Sequence, residues 1–163
     1  MSEKRIDILR NLIADIGKEQ IEYHKFFPAF ADKLVVGLGR YLGDEDSIAL
    51  TTNEPDFQWD KTYRQQGLGF EGVRYRIPIM IKFDNILDSG YVCKRIWLFC
   101  SKRNNSILIS INNEPDFEIQ ENELDLLYTK IHKYLFGYFS KRNWFEIDRD
   151  DYKSTDIGFL ANE

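Results

Sequence analysis

The chain has 163 residues, of which 43% are hydrophobic and 30% charged, with a net charge of −5. That length suits a single domain, 1–163, able to bury about two-thirds of the surface its unfolded chain would expose, and the balance of apolar and charged residues excludes extended disorder. No apolar run is long enough for a membrane span, and the first seven residues open a charged amphipathic stretch rather than a signal peptide, so the cytoplasm is the expected compartment.

In chain order, Ile6, Leu9, Ile13 and Ile16 recur at helical spacing, with Ser2 as the expected N-cap and Gly17 as the expected stop. A second helix is predicted over 26–42, with Phe27, Phe30, Leu34, Leu38 and Tyr41 on one face, Pro28 in the first turn and Gly43 just past the end. A short strand over 47–52 leads into a loop over 53–72, too long for a simple hairpin connection.

The alternation of Val73, Tyr75, Ile77, Ile79, Ile81 and Phe83 with Arg74, Arg76, Pro78, Met80 and Lys82 predicts a strand over 72–83. Pro78 places it at an edge, or beside a strand that covers it only in part. Strands over 91–102 and 106–111 form a hairpin through Asn104 and Asn105, residues that tolerate positive φ. A closing helix spans 122–142, with Leu124, Leu127, Ile131, Leu135 and Tyr138 on one stripe, and residues 143–163 form an acidic, partly ordered tail.

These elements add up to an α+β fold. An antiparallel sheet of about four strands carries two N-terminal helices and one C-terminal helix on one face, and the other face is left partly open. Cys93 and Cys100, an odd number of residues apart on one strand, point to opposite faces and stay free thiols.

Charge is uneven along the chain. Residues 72–111 hold seven Lys or Arg against two acids, whereas residues 112–163 hold six against twelve. Arg74, Arg76, Lys82, Lys94 and Arg95 therefore either form an anion-binding sheet face or pair with carboxylates of the loop and tail.

Gly67, Gly69 and Gly72 match G-x-G-x-x-G, but they lead into a strand rather than a helix, which favours glycines at turn positions over a phosphate cradle. The pentapeptide Asn53-Glu54-Pro55-Asp56-Phe57 recurs as Asn113-Glu114-Pro115-Asp116-Phe117. Each copy reads as a turn in which proline fixes φ and Asn and Asp bond their own backbone. The sharper alternative is a divalent-metal site built from Glu54, Asp56, Glu114 and Asp116. His24 and His132 have no companions at metal-ligand spacing, and no G-x-S-x-G, H-E-x-x-H, C-x-x-C or Walker sequence occurs. No cofactor is expected, and catalysis is the minority reading.

Phe57, Trp59, Tyr63 and Arg64 in the loop, with Trp144 and Tyr152 in the tail, are the residue types of which interface hot spots consist. Three functions remain open. The first is a non-catalytic protein-binding or regulatory module that engages, and in the sharpest version neutralises, a basic partner such as a toxin or nuclease. The second is binding of an anionic small ligand or single-stranded nucleic acid on the basic sheet face. The third is a metal-dependent enzyme using the repeated turns.

Overall fold

The computed structural model describes residues 4–50, 68–86, 90–141 and 157–161. Over these residues it is an α+β fold with one antiparallel sheet and two α-helices. The two helices expected at the N-terminus are one: α1 (Arg5–Leu42) runs 38 residues through both Gly17 and Pro28. An interior glycine costs only about 1 kcal/mol against alanine, and Pro28 forfeits one backbone bond. Neither stops a helix whose second half is held by buried Phe27, Phe30, Leu34 and Leu38. The stop lies at Gly43, where φ of 86° turns the backbone left-handed and the amides of Gly43 and Asp44 donate to the carbonyls of Arg40 and Gly39.

A 3-10 turn at Glu45–Ser47 leads into β1 (Ile48–Leu50). The turn lies so close to α1 that a Cβ on Gly39 would meet Glu45 Cα at 2.8 Å, which only glycine avoids. Next come β2 (Gly69–Glu71), β3 (Arg74–Ile86), β4 (Gly90–Arg103), β5 (Ser106–Ile111), β6 (Phe117–Gln120), α2 (Leu124–Ser140) and β7 (Ile157–Ala161). The sheet order is β1-β3-β4-β5-β6, with β2 also on β3 and β7 also on β4, and every pairing is antiparallel.

The four-strand expectation thus becomes seven strands among the described residues. Three of the strands missed, β2, β6 and β7, have three to five residues each, too short for alternation to stand out from a loop. Gly69 belongs to β2 and Gly72, with φ of 63°, to the turn between β2 and β3, so the glycine spacing serves a hairpin. Pro78 lies opposite the gap between the two short strands: β1 pairs with residues 79–81 of β3 and β2 with 74–76. Asn104, with φ of 55°, closes the β4–β5 hairpin.

Both helices pack on one face of the sheet. Tyr75, Ile77, Ile79 and Ile81 of β3 pair across β4 with Cys100, Leu98, Ile96 and Lys94, and against this face lie the α1 residues named above together with Leu127, Ile131 and Leu135 of α2. Where the helices cross, Gly37 makes room for the ring end of Tyr128. On the second face Pro78, Met80, Arg95 and Ser110 are buried while Arg74, Arg76, Lys82, Trp97 and Phe99 keep part of their surface, so that face is partly open. Cys93 lies on this face opposite Lys82 and Cys100 on the other opposite Tyr75, as an odd separation requires. Among the described residues no helix is long and apolar enough to cross a membrane.

Candidate interaction surface

Helix α1 is about 57 Å long at 1.5 Å per residue, and only its second half touches the sheet. Tyr23 is the first buried residue along it: its hydroxyl donates to Glu19 Oε1 (2.8 Å) and accepts from the Lys102 amide (3.0 Å) at the end of β4. Before that point no residue of the helix is buried. Ile6, Leu9, Ile13 and Ile16 are 51%, 53%, 68% and 47% exposed, and Leu12, also apolar, lies beside them at 56%.

With Gln20 as the one polar position between Ile16 and Tyr23, these residues lie at three- and four-residue steps on the stripe that becomes Tyr23, Phe27, Phe30 and Leu34 and is buried on the sheet. Their spacing reads as a core-facing helix face, which is the sequence expectation, but the sheet ends before it reaches them. A helix segment of this length gains little stability from propensity alone and depends on burying its apolar face. The signal that distinguishes the two halves is length: one uninterrupted amphipathic helix outlasts a sheet whose longest strand, the 14-residue β4, spans about 46 Å at 3.3 Å per residue.

The expected partner-binding residues Phe57, Trp59, Tyr63, Arg64, Trp144 and Tyr152 lie outside the described residues, as do Glu54 and Asp56. The expected anion-binding set is divided between faces. Arg74, Arg76, Lys82 and Arg95 belong to the second face, and Lys94 to the helix-covered one. Arg74 makes a bidentate ion pair with Asp116, one arm at 2.9 Å from Nη1 to Oδ1, and its Nη1 also donates to Ser110 Oγ at 3.4 Å. Arg76 lies 3.6 Å from Glu71 and Lys82 3.4 Å from Asp84. Buried Lys94 sets its ammonium 4.2 Å from the Tyr138 ring centroid, and Arg76 and Arg95 each stack on Trp97 at 5.5 Å.

Lys94, Arg95, Trp97, Asn112 and Tyr134 line a cleft of about 410 Å³ between the end of β5 and α2. A neighbouring cleft of about 540 Å³ carries Lys130, Lys133 and Lys141. Their cations and ring donors suit an anion chemically, although Glu114 lines both clefts and Asp116 the larger.

The second Asn-Glu-Pro-Asp-Phe copy is the turn from β5 to β6, closed by the Glu114 amide donating to the Ile111 carbonyl at 3.0 Å. Asp116 serves Arg74 from there, and among the described residues no group of three or more His, Cys, Asp or Glu is placed to hold a metal ion. The Arg74 guanidinium, by hydrogen bond first and charge second, holds the Asp116 carboxyl below the usual carboxylate range.

A depressed folded-state pKa gives stability that is present above the unfolded value and lost as pH falls through the folded one. The wild type is therefore expected to lose melting temperature more steeply than Asp116→Asn below about pH 4. The two slopes are expected to agree between pH 6 and 8, and equal slopes throughout in thermal melts would deny the pair any role. The pair is part-exposed, so the effect is modest.

No protein-family model, curated protein or solved structure matches the chain.

Proposed function

We propose that this chain is a non-catalytic protein-interaction module that docks through the exposed N-terminal part of α1. What supports the reading is the unburied stripe of Ile6, Leu9, Leu12, Ile13 and Ile16, a core-type surface on a helix that extends beyond its own sheet. Contiguous exposed apolar patches of this kind mark interaction sites in soluble proteins, and amphipathic helices present such a face as anchors three and four residues apart. Of the carboxylates expected to hold a metal, Asp116 is engaged by Arg74 in an ion pair within the fold, which gives a metal-dependent catalytic reading no comparable support.

A second reading, binding of an anionic small ligand or single-stranded nucleic acid, is favoured by buried Lys94 and Arg95 converging with Trp97 and Tyr134 on one cleft.

One capture experiment separates them. Tagged wild type and an Ile13→Asp variant are compared in host lysate at two salt concentrations, with and without nuclease. The interaction-module reading expects a stoichiometric protein that resists nuclease and is lost from Ile13→Asp. Nucleic acid retained by both forms and released at high salt would transfer the function to the cleft.

A further inference from the structure

The protein-interaction reading leaves the occupant of the α1 stripe open, and the following rests on that reading. We infer that the occupant is a second copy of this chain, bound antiparallel over residues 5–19 as a two-helix coiled coil.

Ile6, Leu9, Ile13 and Ile16 fall on alternating steps of three and four residues, the a and d positions of two heptads. An antiparallel two-fold arrangement that sets Ile6 against Ile16 of the second copy also sets Leu9 against Ile13. Symmetry repeats both layers, so all four layers are filled by Ile or Leu. In the same register Leu12 meets its own counterpart beside the axis and covers that flank of the seam.

Charge selects the direction. The first half of the segment carries Lys4, Arg5 and Arg10, and the second half carries Asp15, Glu19 and Glu22. Antiparallel pairing brings Arg5 against Glu19 of the second copy twice, whereas parallel pairing would bring Arg5 against Arg10 twice. The one like-charge meeting in the antiparallel form, Arg10 with Arg10, is offset by Asp7, which lies 3.2 Å from Arg10 on the same helix.

The dimensions also agree. Tyr23, where the helix reaches the body of the protein, falls beyond the first residue of the second copy, so the two Tyr23 positions lie about 36 Å apart along the rod and the bodies do not collide. A lipid surface fits less well, because Lys4, Arg5, Arg10 and Lys18 are balanced by Asp7, Asp15, Glu19 and Glu22, without the basic polar face that interfacial helices carry.

The test is light scattering and sedimentation of the full chain, with engineered cross-links. The wild type is expected to run at twice the chain mass, and Ile13→Asp to weaken association by at least about a hundredfold while keeping the wild-type urea midpoint. Leu12→Cys is expected to cross-link with a short bis-maleimide and Ile6→Cys is not. Background from native thiols is low, because Cys100 is buried and burial pushes the Cys93 thiol up to about 11.

Arg5→Glu and Glu19→Arg are each expected to weaken the dimer about tenfold, and an equimolar mixture of the two to restore it as a heterodimer. Cross-linking of Ile6→Cys in place of Leu12→Cys would overturn the antiparallel arrangement. A wild type that stays monomeric yet captures a different protein through Ile13 would overturn self-pairing and leave the docking reading standing. A monomer whose Ile13-dependent partner is a phosphatidylcholine vesicle, or that shows no Ile13-dependent partner at all, would overturn both.

Discussion

Phe27→Ala is expected to destabilise the fold by about 3–5 kcal/mol, the range for removing a fully buried aromatic ring. Phe27 has no exposed surface, stacks on Tyr75 of β3 with centroids 5.0 Å apart, and takes Tyr23 and Phe26 edge-on at 5.2 and 5.1 Å. It is the contact through which the middle of α1 reaches the middle of the sheet. Collapse cannot fill the space it leaves: Tyr75 is held on both sides, by Phe70 of β2 and Cys100 of β4. One turn of helix also lacks a backbone bond at Pro28, the next residue. Domains have only about 5–15 kcal/mol in total, so the variant should show a large drop in urea midpoint, while Phe27→Leu keeps most of the volume and costs less. A loss below about 1 kcal/mol for Phe27→Ala would mean that α1 does not dock on β3 as described.

Asn112→Ala is expected to cost roughly 2–4 kcal/mol through lost hydrogen bonds and backbone strain. Asn112 ends β5 with φ of 50°, a left-handed conformation that Asn tolerates and alanine resists. Its amide donates to the Trp97 carbonyl at 2.8 Å, and its side-chain oxygen accepts the Trp97 amide at 2.8 Å. Its Nδ2 donates to the Tyr134 hydroxyl of α2 at 2.5 Å. One residue thus closes the β4–β5 ladder and ties it to the second helix, so the alanine leaves the Trp97 amide and the Tyr134 hydroxyl without it. Asn112→Gly removes the strain but not the missing bonds, and is expected to recover about 1 kcal/mol. Equal urea midpoints for the two variants would show that conformation at 112 carries no cost.

Much of the sheet was legible before any coordinates. The β3 and β4 alternation, the Asn104 hairpin and the opposite faces of Cys93 and Cys100 all follow from the two-residue period of a strand, a local property of consecutive side chains. The C-terminal helix was legible for the same kind of reason: Leu127, Ile131 and Leu135 repeat at the helical period, and all are buried. The short strands β2, β6 and β7 were not, because each is held in the sheet by a longer neighbour rather than by its own pattern. Gly17 and Pro28 suggested a break that packing overrode, since burying Phe27, Phe30 and Leu34 outweighs one weak turn.

The interaction surface divides in the same way. Composition and spacing by themselves determined that Ile6, Leu9, Ile13 and Ile16 share one face of a helix, and that Arg74 and Arg76 share one face of a strand. Only the tertiary structure decided what those faces meet. Arg74 is held by Asp116, forty-two residues away, and among the described residues the isoleucine face stays exposed because the sheet beneath α1 ends near Tyr23. Periodicity is set by bonds between near neighbours, whereas burial depends on how far another element extends, and no local pattern carries that length.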